Sequence, residues 1–159
     1  MRRTMTMTRT MAAAMLAGLV AAPAAAREPG SVLMAENAEA RAFQEAVGYA
    51  DAVIAGDTIY LSGVVAAPAG EGAAGLDAGY DRAFKRIAAT LARAGASWDD
   101  VVDITTFHTD LPTHIDGFAA VKNRYVKAPF PAWTAIGVSR LYEPTAVVEI
   151  KVVARRAAK

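Results

Sequence analysis

The feature that most restricts this chain is a β-branched run near its end, V-V-E-I-K-V-V-A from Val147 to Ala154. Val148, Ile150, Val152 and Ala154 fall on one side at a period of two, and Val147, Glu149, Lys151 and Val153 fall on the other. A strand with one uniformly apolar side needs something to pack on, so the chain must build a sheet with a covered face. Just upstream, 133–139 alternates in the same way, with Trp133, Ala135, Gly137 and Ser139 opposite Thr134, Ile136 and Val138. The segment 140–144 breaks that alternation, and Pro144 cannot donate to a ladder. The two runs therefore read as a closing hairpin with a polar turn. Glu149 is the anomaly: in so apolar a strand it is either a solvated edge residue, paired with Lys151 or a lysine across the sheet, or a placed functional group.

Earlier segments supply the remaining elements. Residues 51–55 and 58–65 read as two strands around Gly56-Asp57, where glycine allows a tight turn. Residues 66–75 read as an aperiodic Gly/Ala/Pro loop. The strongest helix signal covers 77–94: Leu76, Tyr80, Phe84, Ile87 and Leu91 recur at helical spacing, Asp77 can cap the start and Gly95 the end. Residues 101–108 read as a third strand. Thr113 to Asp116 resembles a capping box for a second helix, whose stripe is Ile115, Phe118 and Tyr125 and which must stop before Pro129. The order is β-β-α-β-α-β-β, an α+β layout with two helices on one face of the sheet. The other face is left over, which points to self-association. Residues 27–48 read as a linker and a peripheral segment, with a helix in the Ala- and Glu-rich part.

Arg2, Arg3 and Arg9 precede a short apolar run, and Ala24-Ala25-Ala26 offers small residues before Arg27. Residues 1–26 therefore read as a cleavable secretory signal, too short to span a bilayer, with a periplasmic or secreted bacterial product. Three of the 17 Lys and Arg lie in it and none of the 16 Asp and Glu, so its removal leaves 14 basic against 16 acidic side chains, a net charge of −2. A mildly acidic product without a basic stripe is a poor nucleic-acid ligand, and once the signal is gone no membrane partner is expected. The chain has no cysteine, which removes disulfides, thiolate nucleophiles and cysteine-held metals. Its two histidines, His108 and His114, lack the spacing of a metal-binding helix pair, so neither a metal nor a cofactor is expected.

Several ordered pieces carry a family resemblance: Gly56-Asp57-Thr58-Ile59-Tyr60-Leu61-Ser62-Gly63, Ala94-Gly95-Ala96-Ser97 with Asp99-Asp100-Val101-Val102, Phe107 with Asp110-Leu111, Pro131-Ala132, and Val148-Glu149-Ile150 with Ala154. Together they span 49–154, and the chain resembles the RidA (reactive intermediate deaminase, YjgF) family. The resemblance implies a RidA-like domain over 49–156 with a chorismate-mutase-like fold and a mixed sheet. It also implies a homotrimer that binds a small molecule in clefts between subunits. Active members hydrolyse enamines and imines, such as 2-aminoacrylate, to 2-keto acids and ammonia.

Carried over residue by residue, Tyr49, Ser62 and Gly63 match cleft-lining positions, and Glu149 matches the glutamate that positions the attacking water. Trp133 stands where active deaminases carry an arginine that forks onto the substrate carboxylate. Lys122 replaces a helix asparagine, and Ala135 a cysteine. Trp133 either floors a pocket or packs at a subunit interface. Lys122 either supplies a substitute charge or packs its stem and snorkels. Two functions follow: an exported imine/enamine hydrolase with altered substrate choice, in which Glu149 is catalytic and Tyr49, Ser62, Gly63, Trp133 and Lys122 bind substrate, or a non-catalytic trimeric small-molecule-binding or protective protein.

Overall fold

The structure, a computed structural model, describes residues 27–156; the expected signal at 1–26 lies outside them. A 3-10 turn at Pro29–Ser31 leads into β1 (Val32–Leu33), α1 (Ala38–Val47), β2 (Ala52–Ala55), β3 (Thr58–Leu61), β4 (Val64–Ala66) and α2 (Gly72–Arg93). A second 3-10 turn at Trp98–Asp100 precedes β5 (Val101–His108), α3 (Leu111–Tyr125), β6 (Ala132–Gly137) and β7 (Val148–Arg155). The strands form one mixed sheet in the order β1-β2-β3-β7-β5-β6, with β4 also paired to β7. The fold is thus α+β in the expected order, with the peripheral helix present as α1, β1 added in front of it and the second strand split in two.

The valine-rich run holds the centre of the sheet. Val148, Ile150, Val152 and Ala154 are wholly buried, and β7 pairs antiparallel with β3 and β4 on one side and with β5 on the other. The closing hairpin does not form. β5 lies between β6 and β7, running parallel to β6 and antiparallel to β7. Local alternation defines a strand but not its neighbour, and the polar stretch between the two runs is long enough to step across an intervening strand. The parallel β5–β6 pair needs a crossover, which α3 supplies.

Helices α2 and α3 cover one face of the sheet. Tyr80, Phe84, Ile87 and Leu91 form the buried stripe of α2 as expected. Phe84 stacks on Tyr125 at 5.1 Å between centroids, and Tyr80 meets Phe118 edge-on at 5.4 Å. α2 begins one turn earlier than its sequence suggests, at Gly72 rather than Asp77. Its glycines obscure the signal, yet they serve packing: a Cβ on Gly75 would strike the Gly70 carbonyl, and one on Gly79 the Ala67 carbonyl. α3 also starts early, at Leu111, where the Asp110 side chain accepts from the Thr113 amide at 3.3 Å and Pro112 occupies the first turn. Its buried residues are His114, Phe118, Val121 and Lys122, so the stripe is rotated from the expected one.

Residues 29–48 are tied to the sheet. β1 pairs with β2. Gln44 of α1 is buried, accepting from the Ala35 amide at 2.7 Å and donating to Asp51 at 2.8 Å. On the face away from α2 and α3, Tyr60 and Ile136 stand exposed, and the edge strand β6 is accessible along most of its length.

Candidate active site at the break between β3 and β4

β3 and β4 both pair with β7, but the ladder lapses between them at Ser62 and Gly63. At this break the sheet opens into a cavity of about 360 Å³. Glu149 of β7 lines it from below, Phe43 and Val47 of α1 from one side, Arg86 and Thr90 of α2 from another, and Tyr142 and Glu143 from the loop before β7. Tyr49, Asp51, Ser62 and Gly63 complete the wall.

The placement of Glu149 follows from period-two alternation. Its neighbours Val148 and Ile150 point into the core, so its own side chain must point to the opposite face, across from Val65 and Phe107. The carboxylate then lies against Gly63, where any β-carbon would collide with it. Glu149 is half-buried, and among the described residues no ion pair joins it to Lys151 or to any other cation. Ser62 Oγ donates to the Ala50 carbonyl at 2.6 Å, which leaves the hydroxyl oxygen free to accept. The wall thus offers an unpaired carboxylate, a positioned hydroxyl, two tyrosines and an apolar flank, the composition of a small-molecule site. A carboxylate in this setting can hold and orient a water or take up a proton. Among the described residues no cluster of histidine and carboxylate side chains could hold a metal ion.

Trp133 and Lys122 are elsewhere. Strand pairing sets Trp133 opposite Ile104, and Ile104 opposite Val152, on the face covered by helices. Glu149 pairs with Phe107, and Phe107 with Ile136, on the other face. Within one subunit the indole and the carboxylate are therefore on opposite sides of the sheet. The Trp133 indole N–H donates to Thr106 Oγ1 at 3.1 Å, and its ring lies 6.1 Å from Phe118. Lys122 is only 7% exposed; its Nζ sits 4.5 Å over the indole and donates to Asn123 at 2.9 Å. Burial holds the ammonium below the usual lysine range. Beneath them His108 is wholly buried, with Nε2 3.0 Å from Thr106 Oγ1. Desolvation, and secondarily the charge of His114, pushes its imidazole below the ordinary value.

So the structure gathers Tyr49, Ser62, Gly63 and Glu149 in one cavity and sets Trp133 and Lys122 apart. Sequence reading did not reach Arg86, Phe43, Val47, Tyr142 or Glu143. The helical spacing of Phe43 to Val47 and of Arg86 to Thr90 places each pair on one face, but nothing local says that the two faces meet at the same opening.

The profile of the family described as Endoribonuclease L-PSP matches residues 39–156, most of the chain and every strand of the sheet except β1. The chain belongs to this family, known also as the YjgF/RidA family. The RutC family protein YjgH of Escherichia coli K12 is 38% identical over 109 residues, covering 67% of this chain and 82% of that protein. A solved YjgH structure superposes with a TM-score of 0.68 at 31% identity, over 85% of this chain and all of the other. A YjgF/YER057c/UK114 family member from Mycobacterium tuberculosis gives 0.65 at 26% identity, over 78% and 97% of the two chains. The chorismate-mutase-like fold inferred from the sequence is thereby established. The Gly63 break and Glu149 lie inside the region shared with the YjgF/RidA family.

Proposed function

We propose that this YjgF/RidA-family protein is a hydrolase that converts enamines or imines to carbonyl compounds and ammonia, with Glu149 orienting and deprotonating the attacking water. The observation that carries the reading is the unpaired Glu149 carboxylate held in a cavity against Gly63. A half-buried carboxylate left without a cation in a cavity wall is available to bind water or take up a proton. Ser62 and the neighbouring backbone orient the substrate, and Tyr49 flanks it.

The working unit in this reading is a homotrimer. The sheet face away from the helices is uncovered, and β6 is an accessible edge strand, both of which a second copy would cover. A neighbouring subunit's Trp133 edge, set against the Gly63 break, would bring the two separated groups of residues into one cleft. The Arg- and Ala-rich start at 1–26 supports export, which places the reaction in the periplasm or outside the cell. The acidic balance after signal removal weighs against RNA as a substrate, despite the endoribonuclease name of the family.

A second reading, a non-catalytic binding or protective protein, draws on the occupied donors of Trp133 and Lys122. Both are engaged within their own subunit, so neither offers the fork that an arginine would. Ammonia release from enzymatically generated 2-aminoacrylate and from carboxylate-free enamines separates the readings. The hydrolase predicts turnover that falls about a hundredfold or more in Glu149→Gln. Equal rates in wild type and variant would remove the hydrolase and leave the binder.

A further inference from the structure

We propose that Arg86 of α2 is the anion-binding group of the Gly63 cavity and selects ligands that carry a carboxylate. The proposal rests on reading this cavity as the ligand site, but not on its being catalytic.

Three carboxylates, Asp51, Glu143 and Glu149, share the wall with a single cation, Arg86. Asp51 is already satisfied. Gln44 Nε2 donates to one of its oxygens at 2.8 Å, and Arg93 to the other at 3.0 Å. Arg86 approaches Asp51 only to 3.8 Å, beyond hydrogen-bond reach. Among the described residues its guanidinium makes no hydrogen bond, and its side chain is 59% exposed at the mouth of the cavity. Arg93 already satisfies Asp51 by hydrogen bonding, so Arg86, in a 3.8 Å ion pair with Asp51 but without a hydrogen bond, keeps five unused donors in a fork that matches a carboxylate.

The backbone keeps it there. Arg86 and Thr90 lie four residues apart on α2, and both line the opening. Arg93, two turns along from Arg86, is anchored by Asp51 and by the Met34 carbonyl, which fixes the helix end against the segments that follow β1 and precede β2. Glu143 and Glu149 line the same cavity and repel an anion, so a bound anion is oriented with its carboxylate at Arg86 and away from these two acids.

The test is binding of pyruvate and of its neutral isostere pyruvamide to the full chain, followed by NMR titration. Wild type should hold pyruvate about tenfold or more tighter than pyruvamide. Arg86→Gln should bring the ratio close to one by weakening pyruvate alone, and Arg86→Lys should restore part of it. Arg82→Gln, one turn earlier, should keep the full ratio, because Arg82 is bonded to the Ala67 carbonyl instead. A wild type without preference or binding, an unchanged ratio in Arg86→Gln, or an equal loss in Arg82→Gln would each overturn the proposal. If the ratio responds to Arg86 while ammonia release is absent or indifferent to Glu149→Gln, the anion site stands and the hydrolase reading fails.

Discussion

The carboxylate of Glu149 fills the space that a side chain on Gly63 would need. Two residues far apart in the chain are thereby locked in type: the acid can sit in the cavity because the facing position has no β-carbon.

Gly63→Ala should test this pairing directly. The clash involves the outer atoms of a flexible side chain, so the protein should fold with its stability changed by about 1 kcal/mol or less while Glu149 swings out of the cavity. Ammonia release should drop tenfold or more, with the thermal midpoint nearly unchanged. Full activity in the alanine variant would show that the position of Glu149 is not what the reaction uses.

Gly79→Ala should behave in the opposite sense. Alanine is the better helix former by about 1 kcal/mol, yet here its methyl group would meet the Ala67 carbonyl, a backbone atom that cannot step aside. The variant should lose about 1–3 kcal/mol in urea unfolding. A stabilised variant would mean that the close approach of α2 to the 67–70 segment is not required.

Lys122→Met should stabilise the fold at neutral pH, because it removes a cation from a desolvated position while giving up one contact to Trp133 and one to Asn123. Burial depresses the folded-state pKa of Lys122 below its ordinary value of 10.5, so the unfolded chain binds the extra proton between the two values. Wild-type stability should therefore rise as pH climbs through that window toward 10.5, and the methionine variant should lack this rise. Thermal midpoints of both proteins from pH 7 to 11 check the sign. A Lys122→Met variant destabilised at every pH would mean that the ammonium's attraction to the indole outweighs its desolvation.

Much of the architecture was legible because it is written at short range. The alternation of Val148, Ile150, Val152 and Ala154, and the spacing of Tyr80, Phe84, Ile87 and Leu91, each name a buried side without reference to the rest of the chain. The starts of the helices were less legible. Gly72 and Gly75 look like loop residues until the Gly70 carbonyl that Gly75 must avoid is seen.

By itself the sequence determined the α+β class, the order of the core elements and the side of β7 on which Glu149 stands, since side-chain direction in a strand depends only on position parity. The tertiary structure alone decided that β5 inserts between β6 and β7, in a register that puts Trp133 on the helix face, opposite the side of Glu149. It alone brought Arg86 to the mouth of the Glu149 cavity, because that meeting depends on how α2 lies across the strand break. Strand neighbours and helix docking are set by long-range packing, which no local period encodes.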